Sequence, residues 1–248
     1  MKTSDTVVGV ARQGQPADVA EDWTPGTMAF ELPPHIAQYL LTHSTSYGPA
    51  GEALVQATAA LGEPAVMMIA PEQYGVLRLL AALARARQVL DLGTFTGLSA
   101  MALAEAVGEQ GRVVTVDRNP AWIKMAETYW RMAGLQDRIE VRVGEVAAIL
   151  DAMPANELYD MVFIDVDKAG IHEYVEVVLR HLTPHGFIVL DNVLWHGWVL
   201  DPDRGDADTA GMRRCSALLA ARPDLEVTML PVADGISVIR RKTPNRVG

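Results

Sequence analysis

The chain has 248 residues, 50% of them hydrophobic and 21% charged, which suits one α/β domain with a large core. A net charge of -10 argues against nucleic acid, whose phosphates are held chiefly by Lys and Arg. A single cysteine, Cys215, excludes a disulfide framework and a Cys-based zinc site.

Residues 1–32 are mixed polar, with Gly14-Gln15-Pro16 and Pro25-Gly26 and no persisting period. They read as an N-terminal arm, mobile or strapped across a partner subunit, ahead of a domain over 33–248. The arm's acids (Asp5, Asp18, Glu21, Asp22) and lack of an apolar core exclude a signal peptide. No apolar run is expected to reach the roughly 18 residues of a membrane span, so the expectation is a cytoplasmic protein with no membrane partner.

A helix is expected from Pro33, with apolar residues at helical spacing through Leu41, broken at Ser46-Tyr47-Gly48-Pro49. A second runs over 50–61. Met67-Met68-Ile69 is a short apolar segment before a turn. Ala70-Pro71-Glu72 then opens a helix with Val76, Leu77, Leu79, Leu80 and Leu83 on one face. Beyond it, strands over 88–92, 112–116, 139–143, 161–165 and 187–191 alternate with helices over 99–107, 120–133, 145–153 and 172–181. That alternation predicts a mostly parallel, doubly wound α/β sheet. Segments 226–230 and 236–240 suit a closing C-terminal antiparallel pair. Residues 201–211, rich in Asp, Gly and Arg, read as a mobile loop at the site mouth. His181 and His185 read as surface residues of a turn.

Ligands of such sheets sit beyond the carboxyl ends of the strands. Those ends carry Asp91, Asp117, Gly144-Glu145, Asp165 and Asp191-Asn192. The first strand enters Asp91-Leu92-Gly93-Thr94-Phe95-Thr96-Gly97-Leu98-Ser99, a bend that presents backbone N–H groups at a helix start. A phosphate loop would need Lys after its second Gly, and a dinucleotide site would need G-x-G-x-x-G; neither is present. The bend resembles motif I of the S-adenosylmethionine (SAM) methyltransferases, with Phe95 at the usual middle Gly. Asp117 can accept both hydroxyls of a ribose, or cap the helix opening at Pro120. Asp165, Asp191 and Asn192 converge if their strands are neighbours. Two carboxylates and an amide oxygen suit a hard cation, Mg²⁺ first and otherwise Ca²⁺ or Mn²⁺.

With Phe163-Ile164-Asp165-Val166-Asp167-Lys168, Asp191-Asn192-Val193-Leu194-Trp195 and Leu230-Pro231-Val232-Ala233-Asp234-Gly235 following in order, the chain resembles the cation-dependent catechol/caffeoyl-CoA O-methyltransferase family. The resemblance spans roughly residues 33–242 and implies a Rossmann-like SAM methyltransferase fold. It implies Asp165, Asp191 and Asn192 as metal ligands and Lys168 as the base on the substrate hydroxyl. It implies Asp91, Gly93 and Ser99 around the methionine part of SAM, with Thr94 and Phe95 beside them and Ser99 reaching the carboxylate. Asp117 takes the ribose, with Arg118 next to it; Gly144, Glu145 and Val146 lie beside the adenine; Met67, Met68 and Ile69 cover the sulfonium. The product would be S-adenosyl-L-homocysteine (SAH). The family's usual homodimer is expected here as well.

The implied chemistry is coherent. A phenol is mostly neutral at pH 7, and a chelating cation favours the phenolate. An amine beside that cation is favoured in its neutral form and can serve as base, although Lys168 could instead pair with Asp167. Trp195 lies against an aromatic acceptor or closes the core. Where the family usually has acid-Gly-Gln, this chain has Gln73-Tyr74-Gly75, and Tyr74 would put bulk near the cofactor entry. The expected acceptor is a catechol-type aromatic, with secondary metabolism as its setting. The alternatives are a hydroxy-acid aromatic, a CoA thioester whose phosphates meet Arg213-Arg214, or, in another class, a NAD-dependent dehydrogenase.

Overall fold

Strands that are apolar at nearly every position must be covered on both faces, and this chain covers both. The computed structural model describes residues 33–242. Its helices are α1 (Pro34–His43), α2 (Gly48–Ala59), α3 (Pro71–Leu83), α4 (Leu98–Ala106), α5 (Pro120–Met132), α6 (Val146–Asp151), α7 (Ile171–Arg180) and α8 (Ala207–Ala220). Its strands are β1 (Gln88–Leu92), β2 (Arg112–Asp117), β3 (Ile139–Val143), β4 (Tyr159–Ile164), β5 (Leu182–Asp191), β6 (Leu225–Leu230) and β7 (Ile236–Arg241).

They form one sheet in the order β3-β2-β1-β4-β5-β7-β6. The first five strands are parallel; β7 runs antiparallel to both β5 and β6. Alternation divides the core in two. Val89, Val113, Phe163 and Val189 pack under α2, α3, α4 and α5. Leu90, Val116, Ile164 and Ile188 pack under α6, α7 and α8. The order reverses direction between β1 and β4, so the ends of β1, β2, β4 and β5 share one edge of the sheet.

The bend after β1 is fixed by packing. Gly97 caps α4 in the left-handed region at φ 93°. A Cβ there would lie 2.6 Å from both Ala126 Cβ and the Trp130 ring. Trp130 Nε1 donates to the Gly97 carbonyl at 2.9 Å, so α5 holds the bend directly.

Four expectations are corrected. Helix α8 occupies the second half of the segment read as a loop; Asp206 caps it by accepting the Thr209 N–H, and Met212, Cys215 and Leu219 are buried. Strand β5 begins at Leu182, five residues early, because Pro184 and Gly186 lie in its entry half, where the register with β4 is irregular. His181 is 7% exposed, with Nδ1 at 2.9 Å from the Glu157 carbonyl. An 18-residue window within Glu63–Leu83 has a mean hydropathy of 1.2, contrary to the expectation that no apolar run approaches that length. The segment is broken: Glu63–Met67 makes a 3-10 turn, Met68 and Ala70 are extended, and α3 buries Gln73, Tyr74, Leu77 and Ala81. The arm over 1–32 and the end of the domain over 243–248 lie outside the described residues.

Gly97→Ala should lower the unfolding free energy by about 3 kcal/mol, from a left-handed φ plus overpacking. The urea midpoint measures it, and a loss below about 1 kcal/mol would contradict the close approach of α5.

Candidate active site

Asp91 is fully buried in β1, opposite Thr115 on β2. Thr115 Oγ1 and Ser99 Oγ donate to its Oδ2 at 2.7 and 3.2 Å, while Oδ1 is buried with no hydrogen-bond partner in the protein. Burial, helped by the charges of Asp165 and Asp117, pushes this carboxyl up to about 7 against the pull of the two hydroxyls. An unpartnered buried acceptor fits a cationic donor such as the amine of an amino acid.

The bend is built from backbone bonds. Gly93 and Thr94 N–H donate to Val116 O at 3.0 and 3.1 Å, and the Thr94 and Thr115 hydroxyls meet at 2.6 Å. Asp117 accepts the N–H of Phe95 at 2.7 Å and of Asn119 at 2.8 Å. The cap of α5 is Asn119, so Asp117 is free of that duty and is held in place by main chain. A cavity opens here between Met67, Met68 and Ile69 on one side and Gly93 to Ser99 with Asp165 on the other. Arg118, Gly144, Glu145 and Val146 do not line it. They stand at the neighbouring strand end, where Gly144 N–H donates to Asp117 O at 3.0 Å and Arg118 meets Glu145 at 3.7 Å, both exposed.

Asp165 lies against this bend. Its N–H donates to Leu92 O at 2.8 Å, and a Cβ on Gly93 would sit 1.9 Å from its carbonyl oxygen. Lys168 is 4% exposed, and its Nζ pairs with Asp165 Oδ1 at 2.9 Å rather than with Asp167, which is exposed. The same Nζ lies 5.9 Å from the centroid of the Trp195 ring. Asp191 Oδ1 accepts Gln73 Nε2 and the Asn192 N–H, both at 2.7 Å. Burial, then the Asp165 charge, pushes Asp191 up to about 7, while Lys168 and the two hydrogen bonds draw it down. Among the described residues no three His, Cys, Asp or Glu side chains group around one point. A cation here would therefore have two carboxylates and the Asn192 amide as donors, a hard oxygen set.

The segment after β5 departs from relaxed backbone: Asn192, Trp195 and His196 have φ of 56°, 45° and 55°. The turn before β7 holds it. Val193 N–H bonds Gly235 O and Leu194 N–H bonds Asp234 O, each at 3.0 Å. His196 N–H bonds Asp234 Oδ1 at 2.8 Å. Asp234 Oδ2 and Trp195 Nε1 are both buried and unpartnered. Trp198 meets Trp195 edge to face at 6.2 Å and carries the Arg204 guanidinium on its ring at 3.5 Å.

Two residues given no site role by the sequence emerge here, and a third, Arg213, takes a role other than the expected one. Gln73 touches a predicted metal ligand, Asp234 clamps the Asn192–His196 segment, and Arg213 donates to the carbonyls of Trp198, Val199, Asp201 and Arg204. Arg213 is therefore not available to bind phosphates. Tyr74 points into the core, fully buried and edge-on to Tyr47 at 5.1 Å, so it puts no bulk at the cofactor entry. The signal for Asp234 lay in its motif; Gln73 and Arg213 stood out in the sequence, but their partners are set by tertiary contacts alone.

This sheet order, the buried acid in β1 and the carboxylate ending β2 fit a Rossmann-like class I methyltransferase. Comparison with known proteins agrees and narrows it. Residues 42–242 match the O-methyltransferase family. A probable caffeoyl-CoA O-methyltransferase of Dictyostelium discoideum is 32% identical, covering 83% of this chain and 91% of its own. A catechol O-methyltransferase of Mycobacterium tuberculosis is 35% identical, covering 80% and 89%. Among solved structures, the O-methyltransferase TomG of Streptomyces achromogenes, determined with SAM, superimposes with a TM-score of 0.78 at 31% identity, covering 84% of this chain and 96% of TomG. An O-methyltransferase of Bacillus cereus, determined with SAH, gives 0.77 at 32% identity, with coverage of 84% and 97%. The chain belongs to the O-methyltransferase family and is a SAM-dependent enzyme of that family; the dehydrogenase alternative falls.

Asp91 and Asp191 keep their protons in the folded state up to about pH 7, whereas the unfolded chain releases them near pH ~4. Between these values the unfolded state binds fewer protons, so ligand-free protein should lose stability as pH rises and level off above 7. Melting temperature against pH measures this, and Asp91→Asn should flatten part of the slope; an identical slope in the variant would refute the Asp91 contribution. Asp234→Ala should speed amide exchange of residues 193–196 by about tenfold or more, read by mass spectrometry, as a clamp worth about 1.5 kcal/mol or more is removed.

Proposed function

We propose that the enzyme transfers the SAM methyl group to one hydroxyl of a vicinal dihydroxy aromatic, with a divalent cation, Mg²⁺ by preference, held by Asp165, Asp191 and Asn192. The observation that carries this reading is the buried Lys168 Nζ, set between the Asp165 carboxylate and the face of Trp195. When bound, SAM supplies a methyl on a sulfonium and the cation favours the ionised form of a chelated hydroxyl. Asp91 Oδ1 suits the cofactor amine, Asp117 its ribose, and Met67, Met68 and Ile69 cover it. Lys168 Nζ accepts the hydroxyl proton, and Asp165 Oδ1 stabilises the resulting ammonium at 2.9 Å. Trp195 gives the acceptor ring a flat wall, backed edge to face by Trp198.

Two features favour a small acceptor over a CoA thioester. Arg213 is committed to four carbonyls, and Arg204 to Asp206 and the Trp198 ring. TomG is described as taking part in tomaymycin synthesis, which supports secondary metabolism as the setting. We also read the chain as a cytoplasmic homodimer: Cys215 is a free buried thiol, and Ile36, Tyr39, Leu40 and Leu41 leave an exposed apolar strip on α1.

Radiolabelled methyl transfer to a panel of catechols, with and without EDTA, tests the reading. Transfer should vanish with EDTA and return with Mg²⁺, and Lys168→Met should lower kcat by about 100-fold or more while SAH still binds. EDTA-resistant transfer would remove the roles given to Asp165, Asp191 and Asn192.

A further inference from the structure

Gln73, in the first turn of α3, is 3% exposed, and both ends of its carboxamide are engaged. Oε1 accepts the Ala70 N–H at 2.7 Å; Nε2 donates to Asp191 Oδ1 at 2.7 Å, across 118 residues of sequence. The first bond closes the start of α3. A helix cap needs nothing more, so the second bond is not explained by capping.

The two bonds lead to different places. Ala70 directly follows Met68 and Ile69, which line the cavity beside Gly93 to Ser99. Asp191 lies at the end of β5, where Oδ1 takes two donors, Gln73 and the Asn192 N–H. Both donors on one oxygen fix the rotation of the carboxylate and leave Oδ2 as its free ligand atom. A planar amide transmits displacement: a shift of the Ala70 backbone turns the plane and with it the donor on Asp191. Few side chains do this. Leu and Met have no donor, Asn is one methylene short of reaching both partners, and ionised Glu has no N–H.

We infer that Gln73 is a positioning residue that couples the cofactor's cover to the cation site. Seating a cofactor under Met68 and Ile69 fixes Ala70, Gln73 holds Asp191 ready for the cation, and by reciprocity the cation tightens the cover. The inference rests on the metal reading proposed above and goes beyond it by linking the two sites.

Calorimetric titration of MgCl₂ into the purified full chain, with and without saturating SAH, tests it without any turnover. In the native chain SAH should tighten Mg²⁺ binding by about fivefold or more. In Gln73→Met, Mg²⁺ alone should bind about tenfold more weakly, and the SAH-dependent factor should fall to about one. Gln73→Asn keeps a buried amide but cannot span both partners; it should lose the same factor and carries the test if Gln73→Met does not fold. A purely structural role would lower the melting temperature and leave the factor intact. A factor of one in the native chain, or an undiminished factor in a folded variant, overturns the coupling. No Mg²⁺ binding by the native chain overturns the metal reading and the coupling with it.

Discussion

The contact on which the site depends is that between the bend after β1 and the end of β4. Asp165 N–H donates to Leu92 O, and Gly93 has no Cβ to obstruct the Asp165 carbonyl. That closeness fixes where Asp165 points. Through Asp165 it fixes Lys168, whose Nζ stands over the Trp195 ring. Parallel pairing of β1 with β4 and of β4 with β5 brings Asp191 to the same edge. The proposed cofactor floor, base and cation ligands are thus three readings of one sheet register.

The edge is electrostatically strained by design of its sequence. Asp91 and Asp191 are buried with Asp165 close to both, and each is pushed up by burial and by its neighbours' charge. Lys168 is the buried amine inside this group, paired with Asp165. The raised carboxyls are what make the site receptive: an amine beside Asp91 and a divalent cation beside Asp165 and Asp191 would each favour the ionised form that burial opposes. Stability of the empty protein is therefore traded against affinity for what it holds.

Much of this was legible in the sequence where the signal is local. The bend from Asp91 to Ser99, the run ending in Asp165 and the Asp191-Asn192 pair are short motifs at the ends of apolar strands, and alternation with helices fixed the sheet that gathers them. What was not legible depends on contacts made at long range. Gln73 looked like a departure from a family pattern because its partner lies far along the chain. Tyr74 looked obstructive because its direction, into the core against Tyr47, is set by the turn of α3 and not by its type. Helix α8 was missed because Gly211, paired arginines and Asp-rich flanks mask its apolar face, and Leu182 was missed as the start of β5 because Pro184 and Gly186 read as turn residues.

Arg213 has a further meaning. It gathers the segment from Trp198 to Arg204 by the carbonyl oxygens of four residues, and every residue type supplies a carbonyl. The segment is thus fastened largely through its main chain, with the Arg204 guanidinium on the Trp198 ring and its pairing with Asp206 as added side-chain contacts. Such an arrangement separates architecture from taste: Val199 gives Arg213 only its carbonyl, so its side chain, near the acceptor site proposed above, can change while the fastening stays. A fold fastened in this way is suited to acquiring new acceptors in small steps.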